Sequence, residues 1–478
     1  MKKSKLITNF LYSSLYQILL IILPLITAPY VSRVLGSDGI GMYSYTSSVA
    51  SCFAMFGLLG VANYGNRSIA EKRDDKNKIS EIFFDIWSIQ IIMTTLVLVV
   101  YVIYICCFAE DNFKLPLFIQ IITVICSSVD ISWFFFGLEE FKLTVIRNLI
   151  IKLITTALIF ILVNNKNDLL LYLFIMNFGM IFGNISLFPF LMRYVMWTKP
   201  SLKRMKSHFV NLLVLFIPVL AVTLYKRMDK IMLGALTTLS QTGFYENAEK
   251  IINIPMGIVT ALGTVMMPRM TYLFDKGDNN KTNYYMSVTT EFTTFLSFAF
   301  GFGLAAISKE LVPLFYGEDF MGVVPVMIYL SATIPFISMA NALRSQYLIP
   351  KHYDKIYIIS VWVGAVLNLV FNYLLIPRFY AVGAAIATVV AEASVMSIQF
   401  IYVRKELPIV TYIKNVVIYF VCGSAMFIVV RLVSSKIQGW PGLLLEILVG
   451  AMSYTFICGP YILIYHRNEI FALIRGKR

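Results

Sequence analysis

The stretch that decides the fold is IFFDIWSIQIIMTTLVLVVYVIYIC, residues 82–106, in which Asp85 is the only charged side chain. A helix of ~20 mostly apolar residues crosses ~30 Å of hydrocarbon. The apolar residues here run continuously, without the alternation of period two that a membrane strand shows. The run is read as a membrane-spanning helix. Working outward, the same reading gives spans at 8–32, 40–64, 115–136, 143–163, 168–191, 209–235, 243–266, 286–306, 321–342, 356–377, 382–403, 411–432 and 442–465. Fourteen transmembrane helices are expected, an all-α integral membrane protein.

Composition agrees. Of 478 residues, 59% are hydrophobic and 14% charged, and mean hydropathy is +0.77. Soluble domains carry about 45–50% apolar and about 25% charged residues. A soluble enzyme, a nucleic-acid module and a disordered scaffold are excluded. The formal charge of +14 has a topological explanation, because Lys and Arg collect in cytoplasmic loops. With the N-terminus inside, and with Arg147, Lys414 and Arg431 at span ends counted with the adjoining loops, 28 basic residues fall on the cytoplasmic side, 7 outside and 5 deeper within spans. One miscounted helix would reverse the sign of every later loop, so both termini are expected in the cytoplasm. The run 8–31 follows Lys2, Lys3 and Lys5. It exceeds the ~7–15 residues of a signal-peptide core and is read as a retained first helix. The longest outside loop is near 307–320, so function is expected inside the membrane.

Cysteines 52, 106, 107, 126, 422 and 458 lie in or at the ends of apolar runs and form no CxxC pair. They are read as small core residues, with no disulfide framework and no metal site. His208, His352 and His466 are scattered. A weak internal repeat relates Pro24 and Ile40-Gly41-Met42-Tyr43 to Pro218 and Thr242-Gly243-Phe244-Tyr245. An offset of six helices implies parallel halves related by an axis along the membrane normal.

Polar side chains inside spans are the candidate functional groups. Asn9, Ser13 and Gln17 share one face of the first helix, Ser44 and Ser48 one face of the second, and Asn247, Lys250 and Asn253 one face of the eighth. Helix–helix hydrogen bonding would explain each stripe alone. Their recurrence in corresponding helices favours a wet central cavity. Charges cost several kcal/mol, roughly, at the bilayer centre unless paired or hydrated. The seventh span holds Lys226-Arg227-Met228-Asp229-Lys230. Asp229 can neutralise one cation, Lys226 at i−3. Snorkelling to the outer interface is the plain explanation, but basic residues are scarce on that side. Arg33 caps the first helix there. Among the acids, Asp85 and Glu291 are placed near solvated cytoplasmic ends, whereas Asp130 and Glu392 are deep enough to carry a coupling ion or to pair with a cation.

Pro29-Tyr30-Val31-Ser32-Arg33-Val34-Leu35-Gly36 with Gly39-Ile40-Gly41, and Asn63-Tyr64-Gly65-Asn66-Arg67-Ser68-Ile69-Ala70, resemble polysaccharide repeat-unit flippases of the Wzx type. Asp229-Lys230-Ile231-Met232-Leu233-Gly234 with Gly243-Phe244-Tyr245 looks like the family's seventh-helix region, and Ile376-Pro377, Gly383-Ala384-Ala385-Ile386-Ala387 and Glu392 its helix 11–12 junction. The resemblance implies the multidrug/oligosaccharidyl-lipid/polysaccharide exporter fold. Two six-helix lobes, 1–200 and 201–405, would enclose a V-shaped cavity, with helices 13 and 14 and a cytoplasmic tail in 406–478. It further implies transport of undecaprenyl-pyrophosphate-linked oligosaccharides across the bacterial cytoplasmic membrane, for capsule or O-antigen synthesis. A polymerase and a chain-length regulator are candidate protein partners.

Substrate binding is then expected from a cationic cavity of Arg33, Arg67, Lys226, Arg227, Lys230 and Lys250. Arg33 and Arg67 match family motifs; the others rest on charge and position. Asp130, Asp229 and Glu392 are candidates for H⁺ or Na⁺ coupling, and no other cofactor is expected. Two other readings compete. A cation-exporting multidrug antiporter of the same superfold would want an acidic, aromatic pocket, which the basic seventh helix opposes. A membrane-bound polymerase or glycosyltransferase would need a sizeable outside loop carrying catalytic groups.

Overall fold

Long apolar runs in lipid must satisfy their backbone internally, and a helix does so within one segment. The computed structural model describes residues 2–434 and 439–465, with side chains described for 23–278, 281–434 and 439–462. Among the described residues there is no strand. The helices are α1 (Lys2–Leu58), α2 (Val61–Lys72), α3 (Lys76–Cys107), α4 (Asp111–Ile119), α5 (Ile121–Val129), α6 (Ser132–Gly137), α7 (Phe141–Leu162), α8 (Leu169–Ile185), α9 (Phe188–Leu191), α10 (Leu202–Leu236), α11 (Leu239–Asp275), α12 (Asn279–Tyr316), α13 (Val323–Ser331), α14 (Thr333–Leu343), α15 (Asp354–Val403), α16 (Ile409–Val433) and α17 (Gly439–Tyr465).

Among the described residues, twelve helical segments are long and apolar enough to cross a membrane, which makes this a multi-pass membrane protein. Two of them, Leu23–Lys72 and Asp354–Val403, have 50 residues each. A straight helix of that length would measure ~75 Å, more than twice the hydrocarbon thickness. Each contains a break. Gly36 leaves helical space in α1 (φ 71°, ψ 177°), and Tyr380 does so in α15 (φ 51°, ψ −131°). Glycine tolerates positive φ; tyrosine at φ 51° is strained.

The expected span 115–136 is subdivided. Pro116 lies in α4, and Gln120 separates α4 from α5. Thr123 Oγ1 donates to Gln120 Oε1 at 2.9 Å and reaches Asn177 Oδ1 at 2.5 Å. The family-like motif 63–70 lies on α2, a separate amphipathic helix beyond a break at Leu59 and Gly60, both at positive φ. Val61, Gly65 and Ile69 are buried at four-residue spacing. Gly65 is required there: a Cβ would sit 2.4 Å from the Trp133 ring.

The chain divides into two compact units, 1–246 and 247–478. The first is centred on aromatic packing of Phe83, Phe84, Trp133, Phe134 and Phe135 from α3 and α6, and it includes α10, which packs on α1. In the second, α12 packs against α16 and α17 through Phe298, Tyr419, Met426 and Tyr454.

The sequence expectations for two acids and two cysteines are corrected. Asp85 is not solvated: it is fully buried and bonded to Arg204 and to the backbone N–H of Ser201. Glu291 is also buried and accepts from the Tyr419 hydroxyl at 3.1 Å. Cys106 and Cys107 are exposed rather than core, and all six cysteines are free.

Candidate functional site

The seventh-span cations are set by an antiparallel helical hairpin. α10 ends at Leu236 and α11 begins at Leu239. Asp229 and Lys230 precede this turn by about the same number of residues as Tyr245 and Glu246 follow it, so the four meet side by side. Lys230 Nζ lies 2.6 Å from Glu246 Oε2, and both residues are buried. Ser44 Oγ, from α1, donates to the same carboxylate oxygen at 2.8 Å. The Tyr245 hydroxyl donates to Asp229 Oδ2 at 2.5 Å. Close helix approach makes this possible. A Cβ on Gly234 would stand 2.3 Å from Tyr45 Cδ2, and one on Gly243 would stand 2.2 Å from the Ser37 carbonyl oxygen.

The effect is to separate the basic cluster into two kinds of cation. Lys230 is neutralised and out of water. Lys226 is exposed and Arg227 half-buried, and neither has an ion pair or hydrogen bond among the described residues. The expected Lys226–Asp229 pair does not form. Lys226 lies ten residues before the end of α10, ~15 Å along the axis. Sequence reading missed Glu246 as the partner of Lys230, although equal spacing about the Thr237–Thr238 turn would have found it.

The other candidates are placed as follows. Arg33 is exposed, three residues before the Gly36 break. Arg67 lies on α2, exposed and paired with Glu71 at 3.0 Å. Lys250 is half-buried one turn beyond Glu246. Ser48 is buried, with no hydrogen bond to its hydroxyl among the described residues. Asn247 is buried, its carbonyl oxygen accepting from the Tyr316 hydroxyl at 3.0 Å, whereas Asn253 is exposed. Asn9, Ser13 and Gln17 lie outside the residues with described side chains.

Asp130 sits at the break between α5 and α6. Its carboxylate accepts from the Ser132 N–H at 3.0 Å and from the Ser132 hydroxyl, and its carbonyl accepts from Gln90 Nε2 at 2.9 Å. That is a turn-capping role. Glu392 is half-buried within α15. No cluster of three metal-ligating side chains occurs among the described residues.

Comparison with known proteins adds the family. A protein of Escherichia coli (strain K12) described as a candidate O-antigen transporter is 23% identical over 409 residues, which is 84% of this chain and 98% of that protein. The solved lipid II flippase MurJ, in an inward closed conformation, superposes with a TM-score of 0.77 over 97% of this chain and 100% of that one, at 15% identity. An inward-facing multidrug resistance transporter of the MATE family superposes with a TM-score of 0.56 over 79% and 94%, at 13% identity. These likenesses establish a fold shared by a flippase and a drug transporter. The sequence pattern of the family described as polysaccharide biosynthesis protein matches residues 6–274, which contain the motifs at 29–41, 63–70 and 229–245. With more than half its length so matched, the chain belongs to the polysaccharide biosynthesis protein family.

Proposed function

We propose that this chain is a flippase carrying undecaprenyl-pyrophosphate-linked oligosaccharide repeat units from the cytoplasmic to the outer leaflet of a bacterial cytoplasmic membrane. The observation that carries this reading is the pair Lys226 and Arg227, two cations in a span without counter-charge among the described residues, beside a third cation that is neutralised. A sugar head entering hydrocarbon would forfeit many hydrogen bonds, each costing about 1–3 kcal/mol. The protein need only offer a polar, cationic passage while the polyprenyl tail stays in lipid. Arg can grip a phosphate with two parallel N–H donors, and Lys acts as a mobile point charge. The O-antigen relative supports the same substrate class.

In this reading the chain crosses fourteen times, each 50-residue segment supplying two crossings on either side of its break. Both termini are cytoplasmic, the two six-helix lobes alternate access, and H⁺ or Na⁺ supplies the drive. A polymerase and a chain-length regulator would act on the delivered units. The multidrug antiporter shares the fold, but a cationic drug would meet like charge at Lys226 and Arg227.

Complementation of surface-glycan display in a flippase-null strain tests the reading, with membrane levels measured alongside. Display should fall at least tenfold for Lys226→Ala/Arg227→Ala and further for Arg227→Glu. Normal display by a well-expressed double alanine variant would discard the binding role and leave interfacial snorkelling. Thiols introduced at Lys203 and Lys276 should resist impermeant reagents added outside; labelling of either would break the fourteen-crossing topology.

A further inference from the structure

Within the first unit, α1, α7 and α8 enclose a cavity of about 350 Å³ that contains two cations, Arg147 and Lys152. Lys152 is the twelfth of the 22 residues of α7. It therefore lies ~16 Å from the helix start, near the middle of a ~30 Å core. A lysine at that depth is costly unless paired or hydrated. It has no ion pair or hydrogen bond to its ammonium among the described residues. Nor can the surrounding helices supply a counter-charge readily. α7 and α8 contain no acid, and α1 contains only Asp38, whose carboxylate bonds Ser240 at 2.5 Å. Residues 1–22 contain no Asp or Glu in sequence.

The cavity is built for a polar guest. Arg147 Nη1 donates to the Gly183 carbonyl at 2.8 Å and Nε to Asn148 Oδ1 at 3.1 Å, which fixes the guanidinium in the wall. Thr155, Thr156 and Asn184 add hydroxyl and amide groups. α7 and α8 approach closely because position 179 is glycine: a Cβ there would stand 2.2 Å from Thr155 Cγ2. The remaining wall is apolar, with Ile151, Ile159, Met176 and Met180. Cations with hydroxyls at one place and aliphatic surface around them suit an anionic amphiphile.

We propose that Arg147 and Lys152 form a binding site for a lipid-borne phosphate, separate from the α10–α11 hairpin. The phosphate has two possible sources. One is the pyrophosphate of the polyprenyl-linked substrate, an assignment that rests on the flippase reading. The other is an anionic phospholipid held as a fixed component.

The test is equilibrium binding to the purified full-length chain in nonionic detergent, with undecaprenyl diphosphate and phosphatidylglycerol as separate probes. Lys152→Met should weaken one of them by ~10–100-fold, the range for loss of a charged hydrogen bond, and Lys152→Arg should restore most of it. Loss of undecaprenyl diphosphate alone assigns the substrate; loss of phosphatidylglycerol alone assigns the phospholipid. If Lys152→Met does not elute as a folded protein, Lys152→Gln replaces it. Unchanged binding of both probes by the folded variant overturns the site, as does failure of the wild-type chain to bind either. Glycan display by the wild-type chain is scored independently. A chain that restores display while Lys152→Met binds normally would end this proposal and leave the flippase reading intact.

Discussion

A Cβ at Gly41 would lie 1.8 Å from the carbonyl oxygen of Leu239, so the start of the second expected span touches the start of α11 backbone to backbone. The matching glycine of the internal repeat, Gly243, is equally confined by Ser37. Beside them Asp38 Oδ1 and Ser240 Oγ are 2.5 Å apart. Only glycine allows so close an approach. Gly41→Ala and Gly243→Ala should each force these segments apart. The expected result is loss of crosslinking between cysteines placed at 38 and 240 by a short bifunctional thiol reagent, measured against the same pair with both glycines present.

The buried Lys230–Glu246 pair should behave asymmetrically under mutation. Removing one partner strands the other in a dry site, a loss of ~3–5 kcal/mol. Lys230→Met or Glu246→Gln alone should therefore lower the thermal midpoint in detergent markedly. The double variant Lys230→Met/Glu246→Leu should recover most of the loss, because apolar replacement of a whole buried pair is often near neutral. Thermal unfolding of the three variants checks this directly.

Asp85 ties α3 to the start of α10. Its carboxylate accepts the Ser201 N–H at 2.9 Å and Arg204 Nε at 2.5 Å. The carboxylate is fully buried, whereas the Arg204 side chain is 39% exposed, so solvent screens part of the attraction. A cost of about 1–3 kcal/mol is expected for Asp85→Ala. Local opening should rise in proportion, about tenfold per 1.4 kcal/mol. Limited trypsin cleavage after Lys203, in the first turn of α10, measures it.

The loop before α15 should be ordered over a wide pH window. Lys351 Nζ lies 2.6 Å from Glu406 Oε2, with Tyr347 and Tyr353 around them. The hydrogen bond from Lys351, then that from Tyr347, lowers the Glu406 carboxyl below its ordinary 4.5. Desolvation opposes the Lys351 charge, but the bonds to Glu406 and Tyr347 outweigh it and raise the ammonium above 10.5. The Glu406 contribution is present above pH 4.5 and is lost as pH falls through the lowered value. The Lys351 contribution is present below pH 10.5 and is lost as pH rises through the raised value. Amide protection factors of 349–356, corrected for the intrinsic pH dependence of exchange, should be high and flat between these limits and fall beyond both. Lys351→Met should remove the acid-side change.

Much of this protein was legible from its sequence because lipid imposes a simple rule. Continuous apolar runs must become helices, and their length fixes where they can cross, so the run 82–106 lies within α3 and the runs 356–377 and 382–403 meet at Tyr380. Charge counting and the motifs at 29–41 and 63–70 supplied the topology expectation and the family. What sequence could not settle was which charges are spent. Spacing along one helix pairs Asp229 with Lys226, yet Asp229 receives the Tyr245 hydroxyl and Lys230 takes Glu246, because the hairpin brings α11 closer than the next turn of α10. Likewise, hydropathy places Asp85 at a wet helix end, and only the return of the chain at Ser201–Arg204 buries it. Local pattern decides secondary structure since the backbone must be satisfied within each segment; the charge state of a buried site depends on neighbours distant in sequence, and those are fixed only when the helices pack.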